Sequence, residues 1–153
     1  MLRSASTWER TGPNERKARQ AMDRMLAMYI RTALWSSTDE SRPNGGDPLD
    51  DNYTADDIAP DTLARMREDC ERFARENEAT IVAVLGHEPR GAREAISWAS
   101  IGHDLWLNRN GHGAGFWDGD YPEPQASALD RAAKRMGERH LYVGDDGKIH
   151  QDG

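Results

Sequence analysis

The stretch GHDLWLNRNGHGAGFWD, Gly102 to Asp118, decides how the rest of the chain is read. It packs four glycines, two tryptophans, a phenylalanine and two histidines into seventeen residues. Asn110-Gly111 is the strongest hairpin signal in the chain, because a type I′ turn places both central residues at positive φ. Folding about that turn pairs Leu105 with Phe116, Trp106 with Gly115, Leu107 with Ala114 and Asn108 with Gly113. Side chains alternate across a strand, so the predicted hairpin has two unlike faces. Leu105, Leu107, Ala114 and Phe116 form the face a core would take. Asp104, Trp106, Asn108, Gly113, Gly115 and Trp117 form the other, with Arg109 and His112 at the turn. That second face sets an indole beside bare backbone and is the candidate binding surface. The structural alternative is Trp106 lying over Gly115 to shield it from solvent.

Working upstream, a short helix carrying Ala92, Ala95, Ile96 and Ala99 is expected to stop at Gly102, after a turn at Pro89–Gly91. Before it, Leu63, Met66, Cys70, Phe73, Asn77, Ile81 and Val84 recur at spacings of three and four. They predict one long amphipathic helix from Pro60 to Gly86. Cys70 lies on the apolar stripe and reads as buried and inert. A polar segment over 37–59, rich in aspartate, is expected to be a long acidic loop. Pro13 and Asn14 open a first helix, with Ala18, Ala21, Met22, Met25, Tyr29 and Ala33 on one side, ending near Ser36 and Ser37. Residues 1–12 lack periodicity and read as a flexible segment, with Trp8 free to dock.

Downstream, Asp118–Pro124 is turn-rich. A helix over Gln125–Met136 turns Leu129, Ala132, Ala133 and Met136 inward. Leu141–Val143 and Ile149 then form a second hairpin about Asp146-Gly147. The expected fold is α+β: about four helices packed with a small antiparallel sheet built from two β-hairpins, in a single domain over 13–153.

Three stretches, LWSSTDES (Leu34–Ser41), the GHD–NGHGAGFWD block and LYVGDDGKIH (Leu141–His150), resemble small, mostly uncharacterised proteins of tailed bacteriophages. The resemblance covers about residues 30–150. Such proteins often carry phenylalanine where this chain has Leu105 and threonine where it has Asn108. The resemblance implies a phage origin and an accessory role, without an established activity or catalytic residues.

Composition narrows the function further. Of the 153 residues 37% are hydrophobic and 31% charged, and the net charge is −7. That charge argues against affinity for nucleic acid phosphates, which needs clustered Lys and Arg. It suits a basic partner, or imitation of nucleic acid. One cysteine excludes an internal disulfide and a cysteine-built zinc site. With no signal-peptide pattern and no long apolar run, the reading is a soluble protein of the host cytoplasm, with no membrane partner.

His103, Asp104 and His112 are metal-ligand types, but the hairpin register separates them, so a metal would need His87 or His140 as well. His103 is expected to cap the helix end or to hydrogen-bond the backbone next to Gly102. Asp118, Asp120 and Glu123, like Asp145-Asp146, sit where turns use aspartate for local backbone bonds. Glycines 111, 113 and 115 precede no helix and make no phosphate loop. No Ser-His-Asp, Cys-His or paired-carboxylate arrangement stands out, and no cofactor is expected. The leading expectation is a non-enzymatic accessory protein for host takeover or anti-defence that binds a host macromolecule, with a host protein as the expected partner. A small-molecule or nucleotide pocket against Trp106 and Trp117 is the second reading, and a metal-dependent hydrolase on His103, Asp104 and His112 the third. Homodimer formation stays open.

Overall fold

The computed structural model describes residues 13–153 apart from Arg42, Asn44, Arg90, Ala92 and Arg93. The flexible segment expected at 1–12, and the docking of Trp8, lie outside the described residues. The described residues form five helices: α1 (Pro13–Ser36), α2 (Pro60–Glu76), α3 (Glu78–Val84), α4 (Trp98–Arg109) and α5 (Gln125–Arg135). Two antiparallel pairs accompany them, β1 (Thr38–Asp39) with β2 (Asp47–Pro48), and β3 (His140–Val143) with β4 (Ile149–Asp152). The fold is α+β, with five helices where four were expected. Among the described residues no helix is long and apolar enough to cross a membrane.

The hairpin expected about Asn110-Gly111 is instead the end of α4. Ser97 opens that helix: its hydroxyl accepts from Ser100 N (3.3 Å), and Ser100 Oγ accepts from Ser97 N (3.1 Å). This reciprocal cap satisfies two N-terminal amides and starts the helix after Ala95 and Ile96, later than expected. Ile101, Gly102, Leu105, Trp106, Asn108 and Arg109 then follow at helical spacing, and all are buried. Asn110 closes the helix at φ −99°, which is not the positive φ a type I′ turn requires there. Only Gly111 takes positive φ, at +67°. A helix terminus and a tight hairpin both need a glycine at positive φ, so the dipeptide alone does not distinguish them.

Gly102 stops nothing; it sits inside α4 where that helix crosses α1. A Cβ there would lie 2.9 Å from the Met25 carbonyl carbon and closer still to its oxygen. The missing side chain lets the two backbones touch. Around this contact the α1 stripe of Met22, Met25, Leu26, Tyr29 and Ala33 meets Ile101, Leu105 and Trp106 in one core. Trp106 stands edge-on to Tyr29, with ring centroids 5.3 Å apart, and its Nε1 donates to Ser36 Oγ (2.8 Å).

The helix expected from Pro60 to Gly86 breaks at Asn77 (φ −121°), whose Nδ2 donates to Phe73 O (2.9 Å). Met66, Cys70, Phe73, Ile81 and Val84 are nonetheless all buried, so the stripe continues across the break. Burial of Cys70 holds its thiol well above the ordinary range, consistent with an inert side chain. Phe116 is fully buried as expected, but from a loop; it stacks on Phe73 (5.7 Å) and meets Tyr121 edge-on (5.1 Å).

The segment over 37–59 is more structured than an acidic loop. It holds the β1–β2 pair and two 3-10 turns, at Leu49–Asp51 and Ala55–Asp57. Leu49 and Ile58 enter the core, and Ile58 bridges Ile149. Its aspartates serve the backbone: Asp57 accepts from Thr54 N (2.8 Å) and Asp39 from Ser41 N (2.9 Å). In β3–β4, Val143 pairs with Ile149, so the connection runs from Gly144 to Lys148 and is longer than a two-residue turn. Asp146 Oδ1 accepts from Lys148 N (2.9 Å) to close it.

Gly102→Ala should cost ~3 kcal/mol, the upper range for overpacking, because backbone and not a flexible side chain must give way. Chemical denaturation measures this. A loss under ~1 kcal/mol would mean that α1 and α4 part easily at this point.

Candidate functional site

The residues expected to share a binding face are divided between the core and the surface. Trp106, Asn108 and Arg109 are buried. Arg109 reaches Tyr29 Oη (3.0 Å) and Asp69 Oδ2 (2.8 Å) through one nitrogen, and the carbonyls of Met136 (2.9 Å) and Gly137 (2.7 Å) through the others. One guanidinium thus ties α4 to α1, α2 and the end of α5. Asn108 donates to Asp130 Oδ1 (2.9 Å) and accepts from Phe116 N (3.0 Å). Gly115 has φ +141°, and a Cβ there would meet Asn108 Cβ at 2.7 Å. Its close neighbour is therefore Asn108 and not Trp106, and both readings of a Trp106–Gly115 pairing fall with the hairpin. These four residues build the interior. His112, Gly113 and Trp117 are exposed, Trp117 at 52%.

Asp104, of the expected set, faces a pocket crowded with other titratable side chains. The pocket has a volume of about 310 Å³. Its apolar wall includes Met28, Ile96 and Ala99, and its polar wall includes Glu94, His103, Asp104, Asp118, Asp120 and Tyr121. His103 caps no helix end; it lies within α4, with Nδ1 3.0 Å from Asp104 Oδ1. The Tyr121 hydroxyl donates to the second Asp104 oxygen at 2.6 Å. Tyr121 thus pins the loop after α4 onto the helix, and the same loop delivers Asp118 and Asp120. Asp118 accepts from Asp120 N and Gly115 N, both at 3.4 Å, which keeps the turn role expected of it.

The electrostatics follow from this crowding. The hydrogen bond to Asp104 raises the His103 pKa above the ordinary imidazole value, against an opposing effect of partial burial. Asp120 is also raised, first by burial and then by the charges of Asp118 and Asp104. With Nδ1–H directed at Asp104, His103 leaves Nε2 as the nitrogen available to the pocket. No hydroxyl or thiol among the described residues is hydrogen-bonded to His103. The arrangement can meet a cationic side chain or exchange a proton, and among the described residues it has no paired nucleophile.

Of the metal candidates, His103 and Asp104 share this pocket while His112 lines another with His140. Among the described residues no group of three His, Cys, Asp or Glu is placed to hold a metal ion. Sequence reasoning missed the partnership of His103, Asp104 and Tyr121. Tyr121 had no periodicity to mark it, and Asp118 and Asp120 had a sufficient local explanation as turn residues. Comparison with family models, curated proteins and solved structures gave no match.

Arg109→Ala should destabilise the fold by roughly 3–5 kcal/mol, because it strands Asp69 and two carbonyls in a part-buried network. Arg109→Lys should recover only part of this, since an ammonium lacks the planar fork. Urea unfolding of both variants checks the pair; equal stability to wild type would remove the network from the account. For His103, NMR titration should give a pKa above that of free histidine, and Asp104→Asn should lower it. A raised imidazole pKa stabilises the fold fully below the unfolded value and loses that contribution as pH rises through the folded value. The Asp104→Asn variant should therefore lose this component of the pH dependence.

Proposed function

We propose that this chain is a non-enzymatic binding protein that holds a basic host protein through the acidic pocket of α4. The observation that carries the reading is the convergence of Glu94, Asp104, Asp118 and Asp120 with His103 on one concave surface. Among the described residues no Lys or Arg lines it. A lysine or arginine from a partner would offset that charge and lay its aliphatic stem along Met28 and Ile96. Trp117, next to Asp118 in the chain and half-exposed, supplies the kind of aromatic anchor that dominates interface energetics. The chain's net charge of −7 steers a basic partner toward it and opposes nucleic acid. A tailed-phage accessory role in host takeover or anti-defence, in the host cytoplasm, is supported by the resemblance of the LWSSTDES, NGHGAGFWD and LYVGDDGKIH stretches.

The test uses fluorescently labelled arginine- and lysine-rich peptides, with glutamate-rich peptides as controls. Wild-type protein should bind the basic set, more weakly as salt rises. Glu94→Gln combined with Asp120→Asn should keep native melting and weaken binding by about tenfold. The same variant should then lose partners captured from host lysate by the wild type. Equal binding by acidic and basic peptides, or unchanged affinity of the variant, would sink the proposal.

A further inference from the structure

A second pocket, of about 290 Å³, opens where the end of α1, the residues after α4 and the start of β3 meet. Its lining comes from the three stretches quoted at the outset: Ser36, Ser37 and Glu40, then Trp106 and His112, then Leu141, joined by Arg139 and His140. Trp106 is almost fully buried, so it contributes the base of the pocket and not a wall.

The hydrogen-bond inventory of this pocket is rich in unspent donors. Ser36 Oγ accepts from Trp106 Nε1 (2.8 Å), which leaves the Ser36 hydroxyl proton to donate. Among the described residues that proton meets no acceptor. The Ser37 hydroxyl and the imidazoles of His112 and His140 likewise have no hydrogen-bond partner among the described residues. Each imidazole carries at least one N–H in any tautomer. Arg139 spends one nitrogen on Glu138 O (2.9 Å) and keeps the rest of its fork. Glu40 is the acidic member of the lining, and it already accepts from Thr38 Oγ1 (2.7 Å). The pocket therefore presents donors from three separate segments.

We propose that this pocket binds a small phosphorylated ligand, with the phosphate held by Arg139, His112, His140 and the hydroxyls of Ser36 and Ser37. Donors arriving from three segments suit a tetrahedral oxyanion better than a flat carboxylate. A volume near the lower end of ligand cavities favours a small carrier over a polymer. The site is separate from the acidic pocket and does not depend on the function proposed for it.

Inorganic phosphate is the probe, titrated at constant ionic strength against chloride while the five histidine side chains are followed by NMR. The expected result is saturable shifts at His112 and His140, with His87 and His150 still. Arg139→Gln should weaken the affinity by about tenfold, and Arg139→Lys by less, the fork being lost while the charge remains. Should Arg139→Gln disturb the native spectrum, His140→Gln is read in its place, since His140 is exposed. Non-saturating shifts, shifts spread equally over all five histidines, or unchanged affinity in a folded variant would each overturn the assignment.

Discussion

The contact between Gly102 and the Met25 backbone sets the rest of the structure. With no side chain between them, α4 and α1 approach closely enough for Trp106 to stand against Tyr29 and for Arg109 to reach the Tyr29 hydroxyl. A methyl group at residue 102 would push the helices apart and lengthen every one of these contacts. The crossing is thus a condition for the buried polar network as well as for the apolar core.

That network matters in a chain with so lean an apolar content. Arg109 does more than pair with Asp69. It also satisfies the carbonyls of Met136 and Gly137, which follow α5 and lie past the last helical turn. A buried ion pair alone is weak support for a fold, since desolvation offsets much of its attraction. Here the same guanidinium also closes two backbone carbonyls, and losing it would leave both unpaired together with Asp69. Asn108 does comparable work beside it, joining α5 to the loop that carries Phe116.

This loop connects packing to the surfaces available for binding. Phe116 anchors it in the core and Tyr121 fastens it to Asp104. Between those two fixed points, Trp117, Asp118 and Asp120 are exposed to solvent. The acidic pocket therefore stands on a rigid helix and a loop pinned at two places. The donor-rich pocket instead takes its residues from the end of α1, from beyond α4 and from β3. The acidic pocket gathers four carboxylates, whereas the donor-rich pocket has Glu40 as its acidic member.

Periodicity alone made α1, α5 and the buried stripe through Cys70 legible, because a 3.6-residue repeat is a local property of the chain. Phe116 is buried as expected, although the hairpin that placed it inward is absent. The β3–β4 pairing followed from the turn signal at Asp146-Gly147, and the α+β class from hairpin and helix signals together. Among the candidate site residues, His112, Gly113 and Trp117 are accessible as read, and Asp104 does face a pocket. Trp106, Asn108, Arg109 and Gly115 are interior, and the sequence did not reveal it. The reason is physical: Asn110-Gly111 meets the same positive-φ requirement in a hairpin and at a helix end. What selects the helix is the Ser97–Ser100 cap, together with a packing partner for Gly102 on α1, far away in the chain. Tertiary contact also decided that His103, Asp104 and Tyr121 would meet, since a tyrosine in a turn-rich connector carries no local mark of what its hydroxyl will bind.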